Sequence, residues 1–273
     1  MAPQSNRNFY TSYPDPTTFL GVIAGILLLM TAIGLNNGLK FFVQHEAFVI
    51  VFGGTLAASL VHFPLTQLFM MIPRLKVIFM TKKAIPARVI DQIVALSTLI
   101  KSEGKMAVSH EIDSIQDSFF RHGVQLIMDK VPPEQIHDLM EDEIKATMNR
   151  HYQGQVFFDT LAKYAPGFGL LGTLIGLIMM LQNLKNPETI GPNMGIAMVA
   201  TFYGVLLANL VFTPLAGRLE ILSDEEATLK EMILVGMIAI ARDDAPLIVK
   251  EKMLIYLSGA ERKKYDRKEK KIK

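Results

Sequence analysis

Residues 165–178 read APGFGLLGTLIGLI, and within them Gly167, Gly169 and Gly172 have the spacing G-x-G-x-x-G. That spacing is used by dinucleotide-binding enzymes to let a backbone approach a pyrophosphate. Such a fingerprint needs a strand before the glycines and an acidic residue about 20 positions later. Here Pro166 precedes them, and they lie inside Tyr164–Leu181, an apolar run of 18 residues. A helix needs about 20 residues to cross the hydrocarbon layer of a bilayer, with a range of roughly 17–25. The stretch therefore reads as a membrane helix, and the nucleotide reading fails. Gly169, Gly172 and Gly176 recur at i, i+3 and i+7, which brings small residues to one side of that helix. Small residues allow helix backbones to approach closely where lipid supplies no hydrophobic drive for association.

Three further apolar runs accompany it. Phe19–Leu35 has 17 residues, Ala47–Ile72 has 26 and Met194–Leu215 has 22. The last carries Thr201, Gly204 and Ala208, a small-residue stripe that can meet the glycines of the third. The first reads as a retained helix rather than a signal peptide, with only Arg7 before it and no small-x-small site at 36–40. Charge is excluded from these runs: of 28 Lys and Arg, 11 lie between Arg74 and Arg150 and 13 between Arg218 and Lys273. A formal charge at the bilayer centre is costly, so this segregation points the same way. The net charge of +2 says little about partners and gives no reason to expect nucleic acid.

Orientation follows from bases near the helix ends. Arg74, Lys76, Lys82, Lys83 and Arg88 follow the second run; Arg218 and later Arg262-Lys263-Lys264 follow the fourth; the short turns hold only Lys40 and Lys185. The expected architecture is all-α and integral to the membrane, with four transmembrane helices in two hairpins. It divides into a cytoplasmic N-terminal segment (1–17), hairpin 1 (18–72), a helical cytoplasmic loop (73–160), hairpin 2 (161–217) and a helical cytoplasmic tail (218–273). In the loop, Val89, Ile90, Ile93, Val94 and Ile100 repeat at helical spacing, as do Ile136, Leu139, Met140 and Ile144 after Pro132-Pro133. Ser223-Asp-Glu-Glu226 reads as a capping box that opens a helix in the tail. The basic end, 262–273, reads as a solvated or headgroup-facing tail with no specific role.

Chemistry is sparse. With no Cys, disulfides and thiol catalysis are excluded. No nucleophile–base pair or metal set appears, so no enzyme, cofactor or metal site is expected. No Asp or Glu lies inside the four runs, and His62 reads as a helix-end or interior hydrogen-bonding residue. An ion pathway needs an ionisable group or a cage of oxygens at membrane depth. Thr173, Thr201, Tyr203 and Asn209 are the oxygens on offer. If the chain conducts ions, the carboxylate must come from another protein.

Two hairpins around a charged loop, with 165–178 in the third helix and GPNMGIAMVATFYGVLLANLVFTPLA (191–216) in the fourth, resemble the A subunit of the bacterial flagellar stator (MotA/PomA), within the MotA/TolQ/ExbB superfamily. The resemblance covers about Asp15 to Tyr256. It implies a ring of five A subunits in the inner (cytoplasmic) membrane around B subunits (MotB/PomB-like) that carry the membrane Asp. It implies H+ or Na+ influx coupled to torque on the rotor protein FliG, for motility and chemotaxis, with swimming or another form of movement left open. By the same resemblance the functional prolines fall on Pro166, opening the third helix, and Pro214, closing the fourth. Thr173 and Thr201 fall beside the ion pathway, and a Thr at 173 resembles sodium-driven members. The rotor-contact base falls on Lys101; its acidic counterpart falls on Ser109, a departure, with Glu111, Arg88 and Glu103 as further candidates. A TolQ/ExbB-like energiser of an outer-membrane process is the nearest alternative, and those proteins have three spans and a periplasmic N-terminus. A membrane scaffold that conducts no ions is the other.

Overall fold

A computed structural model describes residues 10–14, 16–35, 38–68, 80–108, 112 and 115–272. The described chain is helical almost throughout. The exception is one two-stranded sheet that pairs β1 (Tyr10–Pro14) with β2 (Met80–Ala84), an element the all-helical reading did not contain. The helices are α1 (Pro16–Gly34), α2 (His45–His62), α3 (Pro86–Glu103), α4 (Ser118–Met128), α5 (Pro133–Gln182), α6 (Pro187–Ala241), α7 (Pro246–Leu254) and α8 (Gly259–Ile272). They fall into two compact units. Unit 1 comprises residues 1–13, 82–150 and 222–273; unit 2 comprises 14–81 and 151–221.

Unit 1 has one core. Val89, Ile90 and Ile93 of α3, Phe119 and Ile127 of α4, Ile136 and Met140 of α5, Met232, Ile233 and Met237 of α6, and Val249 and Met253 of α7 are all buried together. The charged loop and the tail, separate in sequence, thus share their apolar faces. Turn chemistry delimits the elements. Pro86 opens α3, and Gly104 ends it at φ +83, a conformation that costs glycine least. Asp117 caps α4 by accepting a hydrogen bond from the Phe120 amide at 2.7 Å. The α5 helix starts at Pro133, as the Pro-Pro pair predicts.

Unit 2 holds the apolar helices. Those containing His45–His62, Pro133–Gln182 and Pro187–Ala241 are long and apolar enough to cross a membrane, and α1 adds a shorter apolar stretch, Leu20–Gly34. Large apolar side chains such as Leu28, Val61, Leu170 and Leu181 point outward and stay exposed. A surface of that kind suits lipid or neighbouring protein, not water.

Four expectations need correction. The second apolar run is not one helix to Ile72. The α2 helix stops at His62, and Phe63 is extended (φ −114, ψ 137) because Pro64 disfavours helical backbone in the residue before it; residues 69–72 lie outside those described. Pro166 does not open a helix but lies inside α5. Pro214 does not close one either. A π-helical stretch, Leu207–Phe212, runs directly into it, and the helix continues to Ala241. The wider π turn adds a residue just where proline cannot donate to the carbonyl one turn earlier. Ser223–Glu226 likewise lies within α6, where Ser223 is buried instead of capping anything.

Candidate ion site in unit 2

The glycines of α5 lie against α6 with almost no space between the backbones. A Cβ added at Gly176 would stand 2.7 Å from both the Ala197 nitrogen and the Asn193 carbonyl oxygen. One at Gly204 would stand 2.6 Å from the Ala165 carbonyl oxygen and 3.1 Å from the Cα atoms of Gly169 and Pro166. Gly169 meets Ala200, Thr201 and Gly204 in return, and Gly172 meets the Ala200 methyl group. Ala208 is buried on the same face. By contrast, Gly167 has nothing within 4 Å. Of the three glycines in the opening motif, two serve helix contact and one faces open space.

This close approach sets the threonines side by side. The Thr173 and Thr201 hydroxyl oxygens are hydrogen-bonded to each other, from adjacent helices. Thr173 Oγ1 also lies 3.1 Å from the Gly169 carbonyl oxygen and 3.1 Å from that of Ala197, and Thr201 Oγ1 lies 3.5 Å from the Gly169 oxygen. Four oxygens share two hydroxyl protons. The chain of donors can therefore run from Thr201 through Thr173 to a carbonyl, or from Thr173 through Thr201 to Gly169. Such a group can ligate a cation or turn over a proton chain. It contains no carboxylate. Thr201 is exposed, between the exposed Met198 and Val205 on α6, so the pair opens onto the surface of unit 2.

Tyr203 is not part of this group. Two residues from Thr201, it points about 200° away around the helix. Its hydroxyl donates to the Phe42 carbonyl oxygen and accepts from the Gln44 amide at 3.4 Å. It therefore ties α6 to the turn before α2. Asn209 is exposed and donates to the Val205 carbonyl one turn earlier at 3.0 Å. His62, the last residue of α2, bonds through Nδ1 to the Tyr164 hydroxyl at 2.9 Å, two positions before Pro166. Thr55 and Ser59, both 1 % exposed, were missed in the sequence. Their hydroxyls donate to the carbonyls of Val51 and Thr55 at 2.6 and 2.7 Å, which removes their polarity from a closely packed helix. The signal was present as two small hydroxyl residues one turn apart.

With this geometry in place, four similarities bear on identity. Residues 111–232 match the MotA/TolQ/ExbB proton channel family. Motility protein A of Borreliella burgdorferi is 38% identical over 64% of this chain and 67% of its own length, and chemotaxis protein PomA of Vibrio alginolyticus is 31% identical over 91% and 97%. The chain also superposes on a structure of the flagellar MotAB stator complex from Bacillus subtilis with a TM-score of 0.84 and 28% identity, covering 91% of this chain and 98% of that one. The chain belongs to the MotA/PomA family of flagellar stator A subunits. It is a membrane protein of an ion-driven flagellar stator, not an enzyme, and the energiser alternative is not favoured.

Within this stator subunit, the charged residues assigned to the rotor do not form one patch. Arg88 lies in the first turn of α3, whereas Lys101 and Glu103 lie in the last, about 20 Å further along at 1.5 Å per residue. Ser109 and Glu111 lie outside the described residues. The acid that Lys101 meets is Asp243, with Nζ 3.8 Å from Oδ1. Asp243 follows α6 at φ +61 and its side chain is 87% exposed. Sequence spacing offers no route to this pairing, since 142 positions separate the two residues.

Proposed function

We propose that the Thr173–Thr201 pair forms one wall of the ion route and that a B-type partner supplies the carboxylate facing it. The observation that carries this reading is a cluster of four oxygens that reaches the surface at Thr201, at a close contact of two apolar helices, with no acid of its own. H+ or Na+ reaching the partner's Asp changes the charge beside Thr201 and biases α5 and α6. One elementary charge crossing 100 mV releases only about 2.3 kcal/mol, so many ions and several copies act in turn. The family resemblance supports a ring of five copies in the bacterial inner membrane, and the bases that flank the apolar runs support cytoplasmic placement of both termini. Pro166 and Pro214 each lack a backbone donor inside a helix that continues beyond the apolar region, which suits a hinge.

The test is reconstitution into liposomes with and without the partner. Cation flux is expected only with both proteins present, and only while the partner's carboxylate is intact. A steady current through this chain alone would overturn the proposal. Swimming of a deletion strain complemented with the chain, measured with and without sodium, assigns the ion.

For the rotor, we place the contact at the Lys101–Asp243 end of unit 1, with FliG as the partner. Exposed single pairs contribute about 0–1 kcal/mol to folding, so reversing either charge leaves the chain folded. Lys101→Glu and Asp243→Lys are each expected to slow swimming, and the two together to stop it, with ion flux through the assembled complex retained. Wild-type swimming of the double variant rules this face out.

A further inference from the structure

The basic end of the chain, which sequence alone leaves without a role, is a docked helix with two different sides. Ser258 and Glu261 cap α8 reciprocally: the Ser258 amide donates to Glu261 Oε2 at 3.0 Å and the Glu261 amide to Ser258 Oγ at 3.4 Å. Tyr265, 8 % exposed, anchors the inner side in the core of unit 1, and its hydroxyl donates to Asp91 Oδ1 at 2.8 Å. Burial and the neighbouring Asp91 carboxylate both raise the phenol's pKa well above its ordinary value, so it remains a donor at any physiological pH.

The acids near this helix are already occupied. Asp91 also receives Lys268 at 2.9 Å, Glu269 receives Lys250 at 2.5 Å, and Glu251 receives Arg262 at 3.2 Å. Counted at 100° per residue from Tyr265, Lys263 and Arg267 lie opposite the anchor and Lys264 lies at the edge of that side. All three are exposed, and no carboxylate among the described residues pairs with them. Within α8, of the acids Glu261, Asp266 and Glu269, Asp266 alone lies at the border of this side. Lys263, Lys264 and Arg267 thus form a row of bases with no carboxylate partner among the described residues, on a helix held to the core of unit 1 by a buried tyrosine and with no large apolar residue beside them on that side.

We infer that the outer side of α8 is a binding surface for the anionic headgroups of the membrane in which this chain resides. A docked row of bases with no apolar edge recognises phosphate by charge alone, and lipid phosphate is the anion always present around a membrane protein. The helix packs on Asp91, in the second turn of α3, the first helix after hairpin 1 in chain order. Its attraction to an anionic leaflet amounts to about fivefold in surface affinity for each base, and it weakens with salt.

The chain contains no cysteine, so a single reporter can be placed at the exposed Ala260 as Ala260→Cys with no background labelling. The full-length labelled chain is reconstituted in nanodiscs of phosphatidylcholine, or of phosphatidylcholine mixed with phosphatidylglycerol, with a nitroxide quencher on the headgroups. Quenching is expected in the anionic discs, reduced by raised salt and lost in Lys263→Glu/Lys264→Glu/Arg267→Glu. The neutral triple variant, with Gln at each position, is expected to fall between. Equal quenching in both lipids, or none in either, overturns the inference; the first result would indicate a fixed position without charge recognition.

Discussion

Replacing Gly204 by leucine is expected to abolish swimming, and replacement by alanine to impair it severely. The alanine methyl would stand 2.6 Å from the Ala165 carbonyl oxygen and 3.1 Å from two Cα atoms, all of them backbone. No rotamer change relieves such contacts, so the two helices must separate. Overpacking of this kind costs about 1–3 kcal/mol, and more where main chain is the obstacle. Because Gly204 faces the turn holding Pro166 and the neighbouring Gly169, the displacement also pulls Thr201 from Thr173. Gly167→Ala is the matched control, since open space surrounds that position and a helical Gly→Ala change gains up to about 1 kcal/mol. Swimming on soft agar, together with the thermal midpoint of the purified chain, reads both. Full motility in Gly204→Ala would mean that this packing is not the one used by the working motor.

That contrast also shows what a sequence can and cannot disclose. Apolar run length and the absence of charge inside the runs made the membrane helices legible, and the i, i+3, i+7 glycines marked the face on which α5 meets α6. Periodicity, however, says that a face is apolar without saying what it packs against. Val89 and Ile93 were visible as a helical stripe, yet their partners Ile233 and Met237 lie in the tail and appear only in the folded chain. Proline was misread in two opposite ways. Pro64, inside an apolar run, was passed over although α2 ends two residues before it, whereas Pro166 and Pro214 were read as boundaries although both helices run through them. Proline biases the residue before it and removes one donor; whether a helix ends there depends on whether packing or a π turn compensates. The two threonines were legible as membrane hydroxyls. Their mutual contact was not, because it depends on which glycine of α5 lies against which residue of α6. Tyr203, close to Thr201 in sequence, points elsewhere for the same geometric reason.

Thr173→Val is expected to reduce swimming more than Thr201→Val, with the chain folded and partner binding unchanged. Valine keeps the shape of threonine and removes only the hydroxyl. In a membrane protein, the loss of one such hydrogen bond costs about 0.6 kcal/mol on average, too little to unfold the subunit. The functional effect is larger because Thr173 is the node of the group. Its oxygen touches the carbonyls of Gly169 and Ala197 as well as Thr201. Without it, Thr201 retains only the 3.5 Å approach to the Gly169 oxygen, at the limit of hydrogen bonding. Without Thr201, Thr173 still donates to a carbonyl at 3.1 Å. Thr173→Ser restores the oxygen and should restore motion, which separates an ion-handling role from mere packing. Swimming speed across a range of sodium concentrations, with copurification of the partner as the control for assembly, decides the matter. Wild-type speed in Thr173→Val would place the ion route away from this pair and leave α5 and α6 as packing helices only.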